Sequence, residues 1–318
     1  MPFLIAFFKL IRWPNLLMIA LAQILLQYLV IAHVFSKIQV PSPLDNTSFF
    51  LLLLSTIFMA AYGYAYNDVK DIEIDLINKN ESRIVDWKIP KKTASIIAYV
   101  FLAAALLIAS YLAWSVQMWQ LLIIHISIGL GLWYYSSQLK KKPLIGNLII
   151  SLFTSLSLYI IWIYHLAILI GDPILLVDSQ KMLPYLHTIV LTYSLFAFLL
   201  SFMRELVKDI EDKQGDGKLG LRTFAVVFGT RKTKSLICGL SITTLGMVWV
   251  SAYYTYIFNL KEMSAYFMVA ISIPFIYFLM HLKKAVRKED FKDLSTLAKI
   301  IMIAGILSMQ LFYISFGS

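Results

Sequence analysis

The sequence has little cysteine and little charge, and each shortage excludes a class of protein. Its 318 residues include a single cysteine, Cys238, which excludes an internal disulfide and a metal site built from cysteines. Only 14% of the residues are charged, against about 25% in a typical soluble domain. Apolar residues make up 60% of the chain, and the mean hydropathy is +0.77. These values indicate an all-α protein that crosses a membrane several times.

The chain also lacks any stretch with the composition of a soluble domain, and we expect one membrane domain over residues 1–318. Its first residues have neither the basic start nor the small-residue cleavage site of a signal peptide, so we expect the first apolar segment to be retained. The net charge of +10 does not indicate a nucleic-acid partner, because the basic residues lie in short loops between apolar segments. We expect these residues to face membrane lipid or a phosphorylated ligand.

Nine apolar segments are long enough to cross a membrane as helices, which takes about 20 residues each. Loops rich in charge, proline and glycine separate most of them. The division between the third and the fourth depends on a short polar turn at 114–118. The predicted spans are 14–34, 48–66, 94–113, 117–137, 146–168, 185–205, 233–255, 264–282 and 295–315, around a central cavity.

The loops between these spans differ sharply in charge. If the N-terminus and every second loop share one side of the membrane, that side holds 24 of the 28 basic residues. Basic loops are retained in the cytoplasm, so this distribution predicts a cytoplasmic N-terminus. The same side holds 14 of the 18 acidic residues. Topology does not require acidic residues, so their presence indicates a site.

Two acidic stretches on that side repeat one spacing, "NDVKDIEID" at 67–75 and "KDIEDKQGD" at 208–216. Aspartates separated by three and then four residues lie on one face of a helix, where like charges repel. The helix dipole makes such charges less favourable still at a C-terminus. Gly215 and Gly217 are expected to end the second helix and to leave its last aspartate in a loop. The aspartates are Asp68, Asp71 and Asp75 in the first stretch, and Asp209, Asp212 and Asp216 in the second.

Solvent, nearby basic side chains or a divalent cation could offset this repulsion. One triplet alone is most simply a solvated helix end, but two in matching register on one side argue against that. Lys70, Arg204 and Lys208 are near enough in sequence to pair with the carboxylates. Oxygen ligands without histidine or cysteine suit Mg²⁺, which completes its shell with water and phosphate oxygens. The residues therefore favour a Mg²⁺ site for a phosphorylated ligand, and the membrane setting favours a lipid diphosphate.

The two stretches resemble the N-D-x-x-D-x-x-x-D and D-x-x-D-x-x-G-D motifs of the UbiA family of intramembrane prenyltransferases. "IRWPNLLMI" is similar to the opening R-x-x-N element of that family, and "WYYSSQLKKKPLIGNLI" to its Tyr/Lys loop followed by Gly-Asn. The resemblance covers nearly the whole chain. It implies Mg²⁺-dependent transfer of a prenyl group from a prenyl diphosphate to a hydrophobic acceptor. It also implies an integral protein of a prokaryotic cell membrane, with the active-site face cytoplasmic.

The resemblance also implies roles for individual residues. All six aspartates are expected to hold the metal, and Asp68, Asp71, Asp209 and Asp212 are expected to be catalytic. An allylic cation needs a water-poor pocket lined by π systems, so aromatic residues near the motifs are included among the ligands of the substrate. Tyr62 and Tyr66, one turn apart, are expected to face one cavity. The expected substrate-binding residues are Arg12, Asn15, Asn67, Tyr66, Arg83, Lys88, Tyr135, Lys140, Lys208 and Arg222.

Two other polar residues have ordinary structural interpretations. Asn147 follows Gly146 at the start of the fifth predicted span, where it is expected to serve as a helix N-cap. His165 lies within that span and has no partner at metal-ligand spacing, so we expect packing or a hydrogen bond between helices as its role.

The chain departs from the family wording after each motif. "NKNESRIVDWKI" lacks the proline and glycine common after the first motif, and "RTFA" stands where R-T-L-P is frequent after the second. "RELVKDIED" and "INK…RIV" are most similar to the subgroup that transfers geranylgeranyl to geranylgeranylglyceryl phosphate. An aromatic quinone precursor is the alternative acceptor. A cation-coupled transporter is the alternative of another class, although no acid lies deep in a predicted span, and an inactive protein that keeps the fold is a third.

Overall fold

The structure, a computed structural model, describes residues 2–78 and 83–317. The regular secondary structure of this part is helical apart from one isolated bridge between Val85 and Ile89, and turns and loops connect the helices. Two of the long helices contain a π-helical turn, one at Leu26–Ile31 and one at Phe267–Ile271. In chain order the helices are α1 (Pro2–Leu10), α2 (Trp13–Lys37), α3 (Asn46–Lys70), α4 (Ile72–Asn78), α5 (Lys91–Ser115), α6 (Gln120–Ser137), α7 (Ile145–Gly171), α8 (Pro173–Ser179), α9 (Leu183–Glu211), α10 (Lys213–Lys218), α11 (Phe224–Ile257), α12 (Lys261–Lys284), α13 (Lys288–Leu307) and α14 (Gln310–Gly317).

Eight helical segments of the described chain are long and apolar enough to cross a membrane. They are α2, α3, α5, α7, α9, α11, α12 and Lys288–Ile314, which joins α13 to the start of α14. The helix α6 occupies the predicted span 117–137 but is not among the eight, since Gln120, His125 and its terminal serines lower its hydropathy. Nine spans and a cytoplasmic N-terminus therefore stay predictions.

The helices pack as two groups with α2 in contact with both. In one group α3 packs on α5 and α6, and in the other α9 packs on α7, α11 and α13. Hydrogen bonds between buried polar side chains join helices across apolar surroundings. His165 Nε2 on α7 lies 2.8 Å from Gln27 Oε1 on α2, which confirms the prediction for this histidine. Such bonds between membrane helices stabilise the bundle by about 0.6–2 kcal/mol each.

Both acidic stretches bend at their second aspartate. Asp71 separates α3 from α4, and Asp212 separates α9 from α10, yet the backbone hydrogen bonds of helical spacing continue through each bend. The prediction that Gly215 and Gly217 end the second helix is wrong, because the bend comes earlier and Asp216 lies within α10. The helices α4 and α10 contact each other, so the two stretches lie at the same end of the bundle.

One predicted boundary differs from the structure by nine residues. The span 233–255 belongs to α11, which begins at Phe224. Gly229 interrupts the helical geometry inside α11 with φ 82° and ψ 161°, a conformation that glycine adopts without steric cost. The apolar pattern of the sequence starts only after this interruption, which explains the difference.

The loop after the first motif is described from Arg83 onward, and residues 79–82 lie outside the described part. A tight turn follows, in which Asp86 has φ 63° and the backbone N–H of Lys88 donates to Ile84 O at 2.9 Å. Aspartate enters this left-handed region more readily than most residues, which explains how a loop without glycine can form the turn.

Candidate active site

A cavity of about 280 Å³ lies among α2, α3, α6, α7 and α9 and collects most of the predicted site residues. Apolar side chains, including Met59, Ile128 and Phe153, line much of its wall. A hydrocarbon chain and a charged group can therefore share this one cavity. The predicted residues on its wall are all six aspartates together with Arg12, Asn15, Asn67, Tyr135, Lys140 and Lys208.

Asp71 binds a partner with each of its carboxylate oxygens. Lys140 Nζ forms an ion pair with Asp71 Oδ1, and Asn67 Nδ2 donates to Oδ2 at 2.7 Å. Lys140 lies in a 3₁₀ turn, Leu139–Lys141, directly after α6. The turn thus brings a cation from a distant part of the sequence to the end of α3.

Arg12 holds Asp68 in a similar way. Its Nη2 lies 2.8 Å from Asp68 Oδ1, and its guanidinium carbon lies 5.0 Å from the centre of the Tyr64 ring. Arg12 has a left-handed backbone, with φ 51°, between α1 and α2. Burial disfavours the charged guanidinium, but the Asp68 carboxylate and Tyr64 outweigh this effect and raise the pKa of Arg12 above its ordinary value. Arg12 is therefore a permanent cation on the cavity wall.

In the second triplet, Asp209 is held by an amide. Asn147 Nδ2 donates to Asp209 Oδ2 at 3.0 Å. The interpretation of Asn147 as a helix N-cap is wrong, because Leu144 occupies the N-cap position of α7. The preceding Gly146 lies so close to the 3₁₀ turn that an added Cβ would stand 3.0 Å from Lys140 Cα. Gly146 therefore allows the close packing, and Asn147 makes the contact with Asp209.

The donor atoms of the cavity fit Mg²⁺ bound together with phosphate oxygens. In the described residues, no three His, Cys, Asp or Glu side chains are grouped closely enough to hold an ion by themselves. Mg²⁺ usually takes one or two carboxylates and fills its shell with water and phosphate oxygens, so a smaller group suffices. Asn67 Oδ1 is a buried acceptor with no hydrogen-bond donor in the described part, which suits a cation nearby.

Tyr66 does not lie on the cavity wall, and the prediction that Tyr62 and Tyr66 face the cavity is wrong. Both are buried on another face of α3, with ring centroids 5.5 Å apart, and Tyr66 also contacts Tyr99. Tyr64 lies four residues before Asp68 and therefore shares its face of the helix. The tyrosine on the cavity wall could therefore have been identified from its spacing to Asp68.

Three predicted basic residues also lie off the cavity wall. Lys88 and Arg222 have exposed side chains, and the contact of Arg222 is made by its backbone N–H, which donates to Lys141 O at 3.2 Å. Arg83 is half-buried, and its Nε has no hydrogen-bond partner in the described residues. The structure thus does not bring these three side chains to the aspartates.

Sequence reasoning left several polar residues of the wall out of the candidate set. Among them are Asn147, Arg204 and Glu205, and Arg204 Nη1 pairs with Glu205 Oε1 at 2.8 Å. Glu205 precedes Asp209 by four residues, so the helical spacing was a usable signal. Asn147 comes from another helix, and only the Gly-Asn wording pointed to it.

The fold and this cavity define an intramembrane prenyltransferase. The chain belongs to the UbiA prenyltransferase family, whose model matches residues 28–303. It is 26% identical over 308 residues to the digeranylgeranylglyceryl phosphate synthase of Methanobrevibacter smithii, with 96% of each chain covered. It is 30% identical over 268 residues to the protein of the same name from Saccharolobus solfataricus, with 82% of this chain and 84% of that one covered.

Solved structures show the same fold. One, from work on the digeranylgeranylglyceryl phosphate synthase in membranes, has a TM-score of 0.60 at 26% identity and covers 98% of this chain and 99% of its own. A UbiA homologue from Archaeoglobus fulgidus bound to DMAPP and Mg²⁺ has a TM-score of 0.54 and covers 95% and 98% of the two chains. Its identity is 15%, so it supports the fold alone.

Proposed function

We propose that the protein transfers a geranylgeranyl group from geranylgeranyl diphosphate to the hydroxyl of geranylgeranylglyceryl phosphate, with Mg²⁺ as cofactor. One observation carries this proposal: both aspartate triplets line a single cavity that also holds Arg12, Lys140 and Lys208. The relatives named for this chemistry match over most of their length and support the choice of acceptor.

In the proposed reaction the bond between the allylic carbon and the diphosphate oxygen breaks, and its electron pair leaves with the diphosphate. The acceptor oxygen forms an ether bond to the same carbon, and the hydroxyl proton is released. When bound, Mg²⁺ supplies positive charge that offsets the negative charge developing on the diphosphate. The residues proposed to hold it are Asp68, Asp71, Asp75, Asp209, Asp212 and Asp216.

The chain's own side chains have three further roles in this proposal. Arg12 and Lys140, already fixed beside Asp68 and Asp71, would bind diphosphate oxygens. Tyr64 and Tyr135 lie on the same wall, and their π systems would stabilise an allylic cation there. The apolar wall would hold the prenyl chain and exclude water, which would otherwise capture the cation.

The location and topology belong to the same proposal. We infer one domain over residues 1–318, nine spans, a cytoplasmic N-terminus and a cavity that faces the cytoplasm of a prokaryotic cell. The 24 basic residues assigned to one side support this arrangement. Membership of a prenyltransferase family makes a cation-coupled transporter unnecessary as an explanation for the acids.

The test uses the purified protein with Mg²⁺, geranylgeranyl diphosphate and two acceptors, geranylgeranylglyceryl phosphate and an aromatic carboxylic acid of the quinone-precursor type. We expect an ether product and an equal amount of diphosphate with the glyceryl phosphate only. Asp68→Ala and Asp209→Ala should each lower kcat about 100-fold or more, because they remove carboxylates proposed to hold the metal ion that offsets charge in the transition state.

Asp178→Ala is the matched control, since this exposed aspartate lies on α8 away from the cavity. Near-wild-type turnover of either cavity variant would refute the metal-holding role. Product formation with the aromatic acid instead would show that the acceptor is an aromatic quinone precursor and not the glyceryl phosphate.

A further inference from the structure

A second cavity of about 140 Å³ adjoins the first. Seven residues line both cavities, among them Asn15, Tyr64 and Arg204. The rest of the second cavity comes from α2, α7, α9 and α13 and is largely apolar, with Met18 and Phe196 on its wall. The two cavities therefore meet at a polar boundary and extend from it into separate apolar surroundings.

Lys299 is the single charged side chain among the described residues that line only the second cavity. It lies on α13, 11 residues after Lys288, which corresponds to about 16 Å along the helix axis. It lies inside the predicted span 295–315, about one helical turn from the start of that span. Lys299 forms no hydrogen bond or ion pair with the part of the chain that the structure describes. An ionisable side chain at such a depth faces a cavity or a partner, and here it lines a cavity.

Positive charge is in excess where the cavities meet. Lys299 interacts electrostatically with Arg204, Arg12 and Glu205. Arg12 is paired with Asp68, and Arg204 is paired with Glu205. These two carboxylates therefore leave the positive charge of Lys299 without a counter-ion of its own. The Nε–H of Arg204 is buried and has no acceptor in the described residues. A spare ammonium group and a spare guanidinium donor at one point fit an anion with several acceptor oxygens.

We propose that the second cavity binds the acceptor lipid, with Lys299 and Arg204 on its phosphate and the apolar wall around its hydrocarbon chain. This inference rests on the function proposed above. A phosphate monoester carries up to two negative charges, so it can pair with both cations. Only the glycerol backbone separates the phosphate from the reacting hydroxyl. A phosphate bound at the boundary therefore places that hydroxyl beside the first cavity, which holds the aspartates.

The main test is Lys299→Met, which removes the charge but keeps the length of the side chain. Its matched control is Lys292→Met, an exposed lysine on the same helix. Each variant is assayed with geranylgeranylglyceryl phosphate and with the corresponding alcohol, geranylgeranylglycerol. We expect Lys299→Met to raise KM for the phosphate acceptor about 10- to 100-fold, the effect of losing a hydrogen bond to a charged group. KM for the alcohol and for geranylgeranyl diphosphate should change less than about twofold, and Lys299→Arg should restore much of the affinity.

A second measurement does not depend on turnover. Equilibrium binding of labelled geranylgeranylglyceryl phosphate, without Mg²⁺ or donor, should weaken about as much in Lys299→Met as KM rises. Ala197→Phe, which fills the second cavity without changing charge, should weaken binding of both acceptors and leave KM for the donor unchanged.

The outcomes separate the two proposals. If the wild-type protein uses the phosphate acceptor and Lys299→Met binds it equally well, the inference about Lys299 is wrong and the proposed function stands. The inference is also wrong if Lys299→Met impairs both acceptors alike or raises KM for the donor. If the wild-type protein does not use the phosphate acceptor at all, both proposals fail together.

Discussion

Lys140 and Asp71 form a less solvated ion pair on the cavity wall than Arg12 and Asp68 do. Their side chains are 11% and 14% exposed, whereas the side chain of Arg12 in the pair with Asp68 is 31% exposed. An exposed pair contributes little, but removing one partner of a buried pair leaves a charge that nothing compensates. Asn67 on the second oxygen fixes the orientation of the Asp71 carboxylate.

Lys140→Met should lower kcat/KM for geranylgeranyl diphosphate about 10- to 100-fold, since a charge-assisted contact is lost and Asp71 is left uncompensated. The measurement is steady-state turnover at varied donor concentration. Lys141→Met is the matched control, because this neighbour in the same turn has an exposed side chain. Equal effects of the two variants would show that general positive charge, and not the contact with Asp71, is what the donor requires.

At the scale of residues, the sequence identified those residues of the cavity wall that belong to short motifs. The aspartates, Asn67, Arg12 and Asn15 come from short motifs with fixed spacing, and all line the cavity. The contacts of Asn147 and the setting of Lys299 depend on which helices pack together, and no spacing along the chain encodes that. Tyr66 was preferred over Tyr64 because it lies one turn from Tyr62 and close to the motif, whereas the helical face of Asp68 was not compared.

At the scale of helices, both aspartate triplets include a bend that the sequence pattern did not predict. The spacing of three and four residues fits a straight helix, and the hydrogen bonds of Asp75 N to Asp71 O at 2.7 Å and Asp216 N to Asp212 O at 3.0 Å preserve that pattern through the bend. Spacing alone therefore does not distinguish a straight helix from two joined ones. Most limits of the long apolar helices were predicted to within about four residues, because hydrophobicity changes abruptly there. The end of α9 and the starts of α11 and α13 differ by six to nine residues, because these helix ends are polar or charged.

The close packing of α7 against the 3₁₀ turn after α6 is expected to matter for activity, because that turn carries Lys140. Gly146→Ala should lower kcat/KM about tenfold, because the added methyl group meets the backbone at Lys140 and displaces the turn from Asp71. The measurement is donor kinetics together with thermal unfolding.

Gly239→Ala is the control for this helix contact, since an added Cβ on α11 meets nothing within 4 Å. It should keep full activity and raise the free energy of unfolding by up to about 1 kcal/mol, the helix propensity gained over glycine. Unchanged activity of Gly146→Ala would show that the turn can move away from the added methyl group without loss of activity.

At the scale of the whole molecule, the number of spans depends on α6. Composition predicted a polytopic helical protein because so few residues are charged, and the structure agrees. Whether α6 crosses the membrane is a question of marginal hydropathy, which neither the sequence pattern nor helix length decides. The asymmetry of basic residues favours a crossing, because without it the later loops would exchange sides.

Single cysteines test this topology in a Cys238→Ser background. We expect a membrane-impermeant thiol reagent on intact cells to label Gln117→Cys and Lys181→Cys, whereas Lys142→Cys should be labelled only in inside-out vesicles. All three positions have exposed side chains. Labelling of Gln117→Cys and Lys142→Cys from the same side would reduce the nine spans to eight.

The pairing of Arg12 with Asp68 and of Lys140 with Asp71 has a consequence for the order and strength of ligand binding. An anion that takes up the two cations frees the carboxylates, and a metal ion that takes up the carboxylates frees the cations. Each ligand therefore removes a competitor of the other, so the two should bind with positive cooperativity. By thermodynamic linkage the benefit is reciprocal, and each ligand strengthens the binding of the other by the same factor.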